Sequence, residues 1–346
     1  MSNQTNHNSG FLKKVVNYQS VLFLVLIGLI VFFGIMEPVF LKPKVIFNVV
    51  EIIGELLIMA LPMTLIITTG GIDLSVGYNL TLCAIVFGST FTKTGNIGLA
   101  IAMCLLVGTA AGAFNGLVIS RTRIPPLVCT LATTSLYRGI ALIIAGDQTY
   151  TGFPDAFKLI STFKFGGVIP VQITYLAVLF VIFVILYNRS SLGRYLKATG
   201  FNENAIIYAG VDTKKIKFWI YTVCGTLCAV ASLVYLGRLS AAKPSMGADL
   251  NLEVITAVVL GGTSTLGGVG SMTGTLIGAL IIGVLKKGFT IMNLSGNIYN
   301  FVLGAILIIG LIAFAFIEER KKIAKKSEHK QIDASENVFN FHQKVE

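Results

Sequence analysis

The stretch TTGGIDLSVG, Thr68 to Gly77, interrupts an otherwise apolar part of the chain. The run LLIMALPMTLII precedes it, and a second apolar run begins at Tyr78. Two adjacent glycines, an aspartate and a serine therefore stand between segments that are apolar enough for a lipid environment. A carboxylate at such a place indicates a specific role, because a charged group within a membrane has a high free-energy cost.

The composition of the chain is that of a membrane protein. Of its 346 residues, 54% are hydrophobic and only 12% are charged, and the mean hydropathy is +0.81. Soluble domains carry about 25% charged residues. Backbone polar groups at membrane depth must be satisfied within the protein, which leaves helices or closed barrels, and no series of short alternating strands is visible. The sequence therefore predicts an all-α polytopic membrane protein.

Ten apolar segments approach the length of about 20 residues that a transmembrane helix needs. They cover 20–40, 46–69, 77–91, 97–120, 124–146, 168–187, 216–237, 253–267, 272–292 and 298–317. The third and the eighth are short, so nine or eleven spans remain open. The first run is too long for the core of a signal peptide, and no small-residue cleavage site follows it. We therefore expect a retained first span.

Lysine and arginine residues in the short loops predict the orientation, because they collect on the cytoplasmic side of a membrane. Segment 188–217 is the most basic loop, and further clusters stand before the first span, after the fourth and in the C-terminal tail. With ten spans all four clusters fall on one side, which places both termini in the cytoplasm. The net charge of +11 therefore reflects membrane orientation and not a nucleic-acid partner.

The same arrangement divides the chain into three parts. A cytoplasmic tail, 1–19, precedes the membrane domain, 20–317, and a basic cytoplasmic tail, 318–346, follows it. Within the membrane domain, the loops 147–167 and 238–252 are expected on the outer side.

Metal and nucleotide chemistry are not indicated by the sequence. The five cysteines fall in predicted spans, where cysteine usually acts as a small apolar residue, and the three histidines lie in the tails. No G-x-x-x-x-G-K-[ST] motif is present, and no hydrolase or dinucleotide motif stands in a fitting context. The chain is therefore predicted not to be an enzyme and to bind no metal or cofactor of its own. If transport is active, its energy comes from an ion gradient or from another subunit.

Charged groups at membrane depth are candidates for function. Glu55 lies well inside the second span, Arg138 lies in the fifth, and Glu253 opens the eighth. Lys286 and Lys287 come late in the ninth span, and we expect their long side chains to reach the outer surface.

Glycine residues indicate both close packing and breaks. Gly270, Gly274 and Gly278 are four residues apart and predict a smooth ridge for helix packing, and GTAAGAFNG at 108–116 predicts a second. Paired glycines instead indicate places where the backbone turns or lines a cavity. The predicted break and packing positions are Gly70, Gly71, Gly77, Gly261, Gly262, Gly267 and Gly268.

Four blocks resemble the permease subunits of bacterial ATP-binding-cassette importers of the ribose type, a family for monosaccharides and autoinducer-like solutes. They are GGIDLSVG at 70–77, RIPPLVCTLATTSLYRGIALIIAG at 123–146, LGRYLKATGFNENAIIYAGV at 192–211 and AVVLGGTSTLGGVGSMTGTLIGALIIGVLKKG at 257–288. The blocks come in the order and spacing of the family, and the resemblance runs from about Val15 to Ile317. The resemblance is highly specific for the family and much less specific for the substrate.

The resemblance implies that GGIDLSVG is a break between two membrane helices at the translocation core. Asp73 and Ser75 would then cap the following helix by accepting its free N–H groups, and Asp73 could also hold a partner such as Arg138. A neutral solute would move past hydroxyl and amide groups. The candidates for this path are Thr68, Thr69, Asp73, Ser75, Asn79, Thr130, Thr133, Thr134 and Ser135, together with Glu55.

The resemblance also implies that segment 192–211 is the cytoplasmic coupling loop, which docks on the ATPase subunit. The implied coupling residues are Gly193, Arg194, Ala198, Gly200, Glu203, Ala205 and Gly210. One departure is Ile206, because related chains often carry a second small residue beside Ala205. The outer segment Ser240–Asp249 and Glu253 resemble the region near the docking surface of the binding protein.

The implied function is the membrane-spanning subunit of an ATP-driven importer in the bacterial cytoplasmic (inner) membrane. It would pair with itself or a close homologue and bind two cytoplasmic ATPase domains, which hold the ATP. An extracytoplasmic binding protein would deliver a small neutral polyol, with a monosaccharide as the first expectation. Permeases for nucleosides or branched-chain amino acids are the alternatives within the family. An ion-coupled secondary transporter, with Glu55 and Asp73 at the midplane, is the alternative class.

Overall fold

The computed structural model describes residues 18–146 and 148–312. All but the last two residues of the predicted N-terminal tail, and the whole predicted C-terminal tail, lie outside the described residues. The boundaries of both tails therefore stay predictions.

Ten helices follow the ten predicted apolar segments. They are α1 (Tyr18–Met36), α2 (Pro43–Thr68), α3 (Val76–Thr94), α4 (Ile97–Arg121), α5 (Pro126–Ala145), α7 (Gln172–Asn188), α10 (Thr213–Leu239), α11 (Leu250–Leu260), α12 (Met272–Ile291) and α13 (Gly296–Ile312). Three shorter helices, α6 (Asp155–Thr162), α8 (Ser191–Phe201) and α9 (Glu203–Tyr208), and the 3-10 helix Pro38–Leu41 lie between them. The all-α fold is confirmed.

Six of these helices are long and apolar enough to cross a membrane, namely α1, α2, α4, α5, α10 and α12. The pair α7 and α8 would add a seventh span with a bend of 63° between its parts. The eighth predicted span, 253–267, is wrong beyond Leu260, because α11 ends there and residues 261–271 are irregular. The 11 residues of α11 rise only about 16 Å, roughly half of a bilayer's apolar core.

Several helices begin at short-range signals in the sequence. Pro43 begins α2 and Pro126 begins α5, where a proline has no intrahelical N–H bond to lose. The side chain of Asn96 accepts a hydrogen bond of 3.1 Å from the N–H of Leu99 at the start of α4, as a helix cap does. The local sequence therefore decides where these helices start.

The central helix of the bundle is α2. Every residue from Ile53 to Thr68 is buried, as expected of a helix that is apolar on all sides. Helices α10 and α12 pack along it, and α7 and α11 cover other parts of its surface. In contrast, α1 exposes apolar side chains such as Leu24 and Ile35, which suits a helix that faces lipid.

Helices α4 and α10 approach each other at glycine residues. A Cβ atom on Gly112 would lie 2.8 Å from the Cα of Gly225, and one on Gly108 would lie 2.6 Å from the Cβ of Ala229. Nothing larger than hydrogen fits at these positions, and small residues are what let membrane helices pack closely. The segment GTAAGAFNG supplies this surface, as its glycine spacing predicts.

The loops collect in two groups at opposite ends of the helices. At one end, strand β1 (Tyr150–Thr151) pairs with β4 (Ala241–Ala242), which joins the two loops predicted to be outside. The β2 (Lys164–Phe165) and β3 (Ile169–Pro170) hairpin lies at the same end, where Lys164 Nζ is 2.6 Å from Glu51 Oε1. At the other end, the N–H of Gly268 donates to the carbonyl oxygen of Thr68 at 2.8 Å. This grouping agrees with the ten-span arrangement.

Candidate functional site

The break after α2 is a tight turn of the backbone. Gly70 has a φ of +82°, a left-handed conformation that glycine adopts without the steric cost that a Cβ atom imposes. The next residue, Gly71, packs against the hydroxyl of Tyr221, which would lie 2.6 Å from an added Cβ atom. The chain then remains irregular until α3 begins at Val76. The two glycines therefore end α2 and let the chain reverse in little space.

Asp73 is buried in this turn and is bonded to Ser75. Its Oδ1 atom accepts hydrogen bonds from the Ser75 N–H at 2.9 Å and from the Ser75 hydroxyl at 2.6 Å. The accepted N–H precedes the first residue of α3, and the Ser75 side chain caps nothing. The expectation that both side chains accept N–H groups of α3 is therefore corrected: Asp73 orders the turn that leads into the helix.

The first turn of α3 obtains its acceptor from a distant residue. Asn251 Oδ1 accepts the N–H of Gly77 at 2.5 Å. Gly77 also has the carbonyl of Gly247 against its Cα, so the segment before α11 closes over the start of α3. Sequence reasoning missed Asn251, because no spacing rule connects it to Gly77.

A chain of buried polar groups links the break to α4 and α5. Asn115 Nδ2 donates to Ser75 Oγ at 2.9 Å. The Tyr137 hydroxyl lies 3.2 Å from Asn115 Oδ1 and donates to the carbonyl of Ala111 at 2.8 Å. Buried groups satisfied in this way hold the helices in one arrangement. The sequence does not identify Asn115 or Tyr137 as a partner of this break.

Arg138 does not pair with Asp73. Its guanidinium carbon lies 5.7 Å from the centre of the Tyr78 ring, a cation–π distance. The described residues include no carboxylate within salt-bridge distance of it. The pairing that the sequence left open is therefore absent from this structure.

The predicted path residues fall into two groups. Buried members bond within the chain: Thr68 Oγ1 donates to the Thr64 carbonyl at 2.7 Å, and Thr130 Oγ1 lies 3.0 Å from the carbonyl oxygen of Ile72. The buried group is Glu55, Thr68, Asp73, Ser75, Asn79, Thr130 and Thr133, whereas Thr69 and Thr134 are half-buried and Ser135 is exposed. A role of these residues in the path stays a prediction.

Glu55 is paired with Arg238. Its carboxylate contacts the guanidinium of Arg238, which also lies 5.1 Å from the centre of the Tyr235 ring. The carboxylate is 1% exposed. The buried charge of Glu55 is therefore compensated within the chain.

Glu253 is paired with Lys286 across α11 and α12. Lys286 Nζ lies 2.7 Å from Glu253 Oε1, and the Tyr299 hydroxyl donates to the same oxygen at 3.1 Å. The expectation that Lys286 extends to the outer surface is therefore wrong, because a buried carboxylate holds it. Tyr299 brings α13 into the same cluster.

The first half of the predicted coupling segment, α8, packs against the membrane domain. Gly193, Leu196 and Thr199 form its buried face. A Cβ atom on Gly200 would run into the carbonyl of Thr68 and would lie 3.0 Å from the carbonyl carbon of Gly267. Gly200 therefore lies at the point where the end of α2 meets the loop after α11.

The second half, α9, is exposed. Tyr208 is 91% exposed and Ile207 is 50% exposed, and Ala205 also lies at the surface. Lys217 Nζ lies 2.7 Å from Glu203 Oε2, which ties the start of α9 to α10. A hydrogen bond from the Lys215 N–H, 3.1 Å long, holds the pKa of Asp212 below its usual value. The implied coupling residues therefore divide between a packed helix and an exposed one.

The seven implied coupling residues occupy three kinds of environment. Gly193 is buried, whereas Ala198, Gly200 and Glu203 are half-buried and Arg194, Ala205 and Gly210 are exposed. In the described ranges, no group of three or more His, Cys, Asp or Glu side chains could hold a metal ion.

Comparison with known proteins identifies relatives along nearly the whole chain. Residues 45–311 match the family described as "Branched-chain amino acid transport system / permease component". The ribose import permease protein RbsC of Escherichia coli K12 is 34% identical over 312 residues, which cover 89% of this chain and 97% of that protein. No solved structure shows a significant match.

Two further relatives have similar coverage. The RbsC protein of Bacillus subtilis 168 is 36% identical over 304 residues, 87% of this chain and 92% of its own length. The autoinducer 2 import system permease protein LsrD of Klebsiella pneumoniae is 35% identical over 304 residues, 86% of this chain and 91% of its own length.

Proposed function

The chain belongs to the family of permease components that includes the ribose and autoinducer-2 import permeases of bacterial ATP-binding-cassette importers, and from this premise we propose that it carries a small neutral polyol. It is a transport component of the bacterial cytoplasmic membrane. The first expectation for the solute is a monosaccharide or a related sugar-like molecule.

The charges of the chain favour a polyol as the solute over the branched-chain amino acid that the family description names. An amino acid carries a carboxylate and an ammonium group, and its recognition normally requires fixed charges of both signs. The buried acids Glu55 and Glu253 are already held by Arg238 and Lys286. Hydroxyl groups such as those of Thr134 and Ser135, which lie at or near the surface of the single chain, suit a neutral solute with many hydroxyls.

The proposed mechanism rests on one observation, the contact of Gly200 with Thr68 and Gly268. Gly200 of α8 lies against the Thr68 carbonyl and the Gly268 nitrogen, and these two groups are hydrogen-bonded to each other. A displacement of α8 must therefore move the end of α2 and the loop after α11 together. Well-packed elements transmit such shifts as rigid bodies, which is what alternating access requires.

The exposed helix α9 supports docking of an ATPase subunit. It presents Ile207 and Tyr208 at its surface, and α8 connects it directly to the junction. We propose that two ATPase domains, which bind the ATP, act on a pair of these chains or on this chain and a close homologue. An extracytoplasmic binding protein delivers the solute at the opposite end, near Glu253 and residues 240–249.

A secondary transporter is less well supported. It would need carboxylates at the midplane that are free to bind a coupling ion. Glu55 is bonded to Arg238, and Asp73 accepts two hydrogen bonds from Ser75. Each carboxylate therefore already has a partner within the chain in this conformation.

The test of coupling is an Ala205→Trp substitution in the reconstituted importer complex. Ala205 is exposed, so the bulky ring should block docking without disturbing the fold. We expect normal membrane insertion but loss of solute-stimulated ATP hydrolysis. Leu24→Trp, on the exposed apolar face of α1, is the control and should hydrolyse ATP normally. Full stimulation in the Ala205→Trp variant would contradict the assignment of α9.

A further inference from the structure

Helix α5 exposes a wide, mostly apolar face that carries one charge. Leu131, Leu136 and Ile143 are exposed on it, the last at 85%. Arg138 is exposed on the same helix, more than three turns after Pro126 and about two turns before Ala145. It is therefore neither a helix-end residue nor a buried one.

Arg138 differs from the other cations inside the described spans. Arg238 and Lys286 each contact a buried carboxylate, whereas Arg138 contacts the Tyr78 ring face and has no salt bridge to a described residue. Among the cations of residues 18–146 and 148–312 that have no carboxylate partner, Arg138 lies farthest from a helix end. A guanidinium exposed to lipid at this depth is costly, so such groups normally face a water-filled cavity or protein.

Polar groups surround Arg138 on its own helix. Thr134 lies one turn before it and Ser135 three residues before it, which places all three on neighbouring positions of the helix surface. The Thr134 hydroxyl donates to the Thr130 carbonyl at 2.6 Å, so its oxygen remains able to accept a hydrogen bond. No atom lies within 4 Å of a Cβ placed on the adjacent Gly139, so the helix surface beside the guanidinium is open.

We propose that this cluster, Thr134, Ser135 and Arg138 with the Tyr78 ring, lines the path and binds the solute during transport. The proposal rests on the proposed function. The guanidinium group has five N–H donors in a planar fork, which can bond adjacent hydroxyl oxygens of a sugar. The Tyr78 ring holds the guanidinium in place and leaves its outer N–H groups directed at the solute. In the expected orientation α5 starts at the cytoplasmic side, so the cluster lies in the outer half of the path.

A second copy of the permease completes the site. The α5 face is open in the single chain, and a path between two copies would bring two such clusters to face each other across water. A positive charge on each side would repel cationic solutes and accept neutral polyols. The charge of Arg138 thus serves selectivity as well as binding.

The first experiment measures access of water to position 138. Arg138→Cys and Leu24→Cys are introduced one at a time into a chain whose five native cysteines are replaced, and the complex is treated with charged methanethiosulfonate reagents. Leu24 is 67% exposed on α1 among apolar residues and serves as the lipid-facing control. The Arg138→Cys variant should react at least about tenfold faster, because charged reagents do not enter lipid. Equally slow reaction of both variants would overturn the proposal.

The second experiment measures ATP-driven uptake of D-ribose, D-glucose and D-galactose in proteoliposomes. For a sugar that the wild-type complex carries, Arg138→Gln should raise KM about tenfold, as expected for loss of a hydrogen bond from a charged donor, with a smaller change in kcat. Arg138→Lys should be milder, and Leu24→Ala should leave both constants unchanged. A normal KM in Arg138→Gln, or a loss of kcat alone, would overturn the binding role.

The two experiments separate this inference from the proposed function. If none of the three sugars is carried with ATP, the monosaccharide assignment fails, whereas the labelling still decides whether Arg138 faces water. If labelling is slow at position 138 but ATP drives sugar uptake, the proposed function holds and the Arg138 cluster is rejected.

Discussion

The backbone N–H of Gly268 donates to the carbonyl oxygen of Thr68 at 2.8 Å, so the loop after α11 is bonded directly to the C-terminal end of α2. Gly200 of α8 lies against both groups. Three segments that are far apart in sequence therefore meet at one backbone junction. A subunit that moves α8 from the cytoplasm would act on two breaks of the membrane domain at once.

Gly200→Ala tests this junction. The added methyl group has no room beside the Thr68 carbonyl and the Gly268 nitrogen, and overpacking of this kind costs about 1–3 kcal/mol. We expect a lower midpoint of thermal unfolding in detergent and weaker solute-stimulated ATP hydrolysis. Gly28→Ala is the matched control, because a Cβ atom there meets nothing within 4 Å. An equal unfolding midpoint and equal ATP hydrolysis in the two variants would show that the segments at this junction can separate without effect.

Asp73 should tolerate asparagine better than alanine. Its Oδ1 atom accepts two hydrogen bonds from Ser75, and an amide oxygen can accept both, whereas alanine leaves a buried donor without a partner at a cost of about 1–3 kcal/mol. Solute uptake per inserted molecule should therefore be near normal for Asp73→Asn and strongly reduced for Asp73→Ala. Near-complete loss in both variants would show instead that the charge of Asp73 is essential.

Glu55 and Arg238 should behave as a pair in a double-mutant cycle. Loss of one partner leaves a buried charge uncompensated, which costs about 3–5 kcal/mol. Glu55→Gln and Arg238→Met should each lower the thermal unfolding midpoint of the purified protein, and the double variant should recover most of the loss.

A second ion pair supplies the control for this cycle. Asp155 pairs with Lys158 at 2.7 Å, but its side chain is 96% exposed, and Asp155→Asn should cause no measurable change, because exposed pairs are screened by water. Additive losses in the Glu55 and Arg238 double variant would contradict the pairing.

The arrangement of the loops predicts opposite accessibility of two exposed positions. Asp155 begins α6, beside the paired strands β1 and β4, and Asn204 lies in α9 at the other end of the helices. Single cysteines at these positions in a cysteine-free chain should react with an impermeant thiol reagent from opposite sides of oriented membranes, with Asn204→Cys reactive from the cytoplasm. Reaction of both from the same side would require a different number of spans between them.

The sequence predicts the helices well and their partners poorly. The apolar runs and paired glycines are local signals, and they correctly indicate the end of α2 at Thr68 and the irregular stretch after Leu260. The partners come from elsewhere in the chain: Arg238 lies 183 residues from Glu55, and Asn251 lies 174 residues from Gly77. No local periodicity connects such pairs. The predicted eighth span is longer than α11, because the apolar run continues past Leu260, whereas Gly261 and Gly262 end the helix.

The most direct test of the account is uptake into proteoliposomes that contain this chain, its ATPase subunit and its binding protein. Uptake of D-ribose, D-glucose or D-galactose is compared with ATP on the ATPase side, with a non-hydrolysable ATP analogue, and with an imposed proton gradient but no ATP. Sugar should accumulate only with ATP, and collapse of the proton gradient should cause no loss of uptake. Accumulation that the proton gradient drives without ATP would contradict the assignment as an ATP-driven importer.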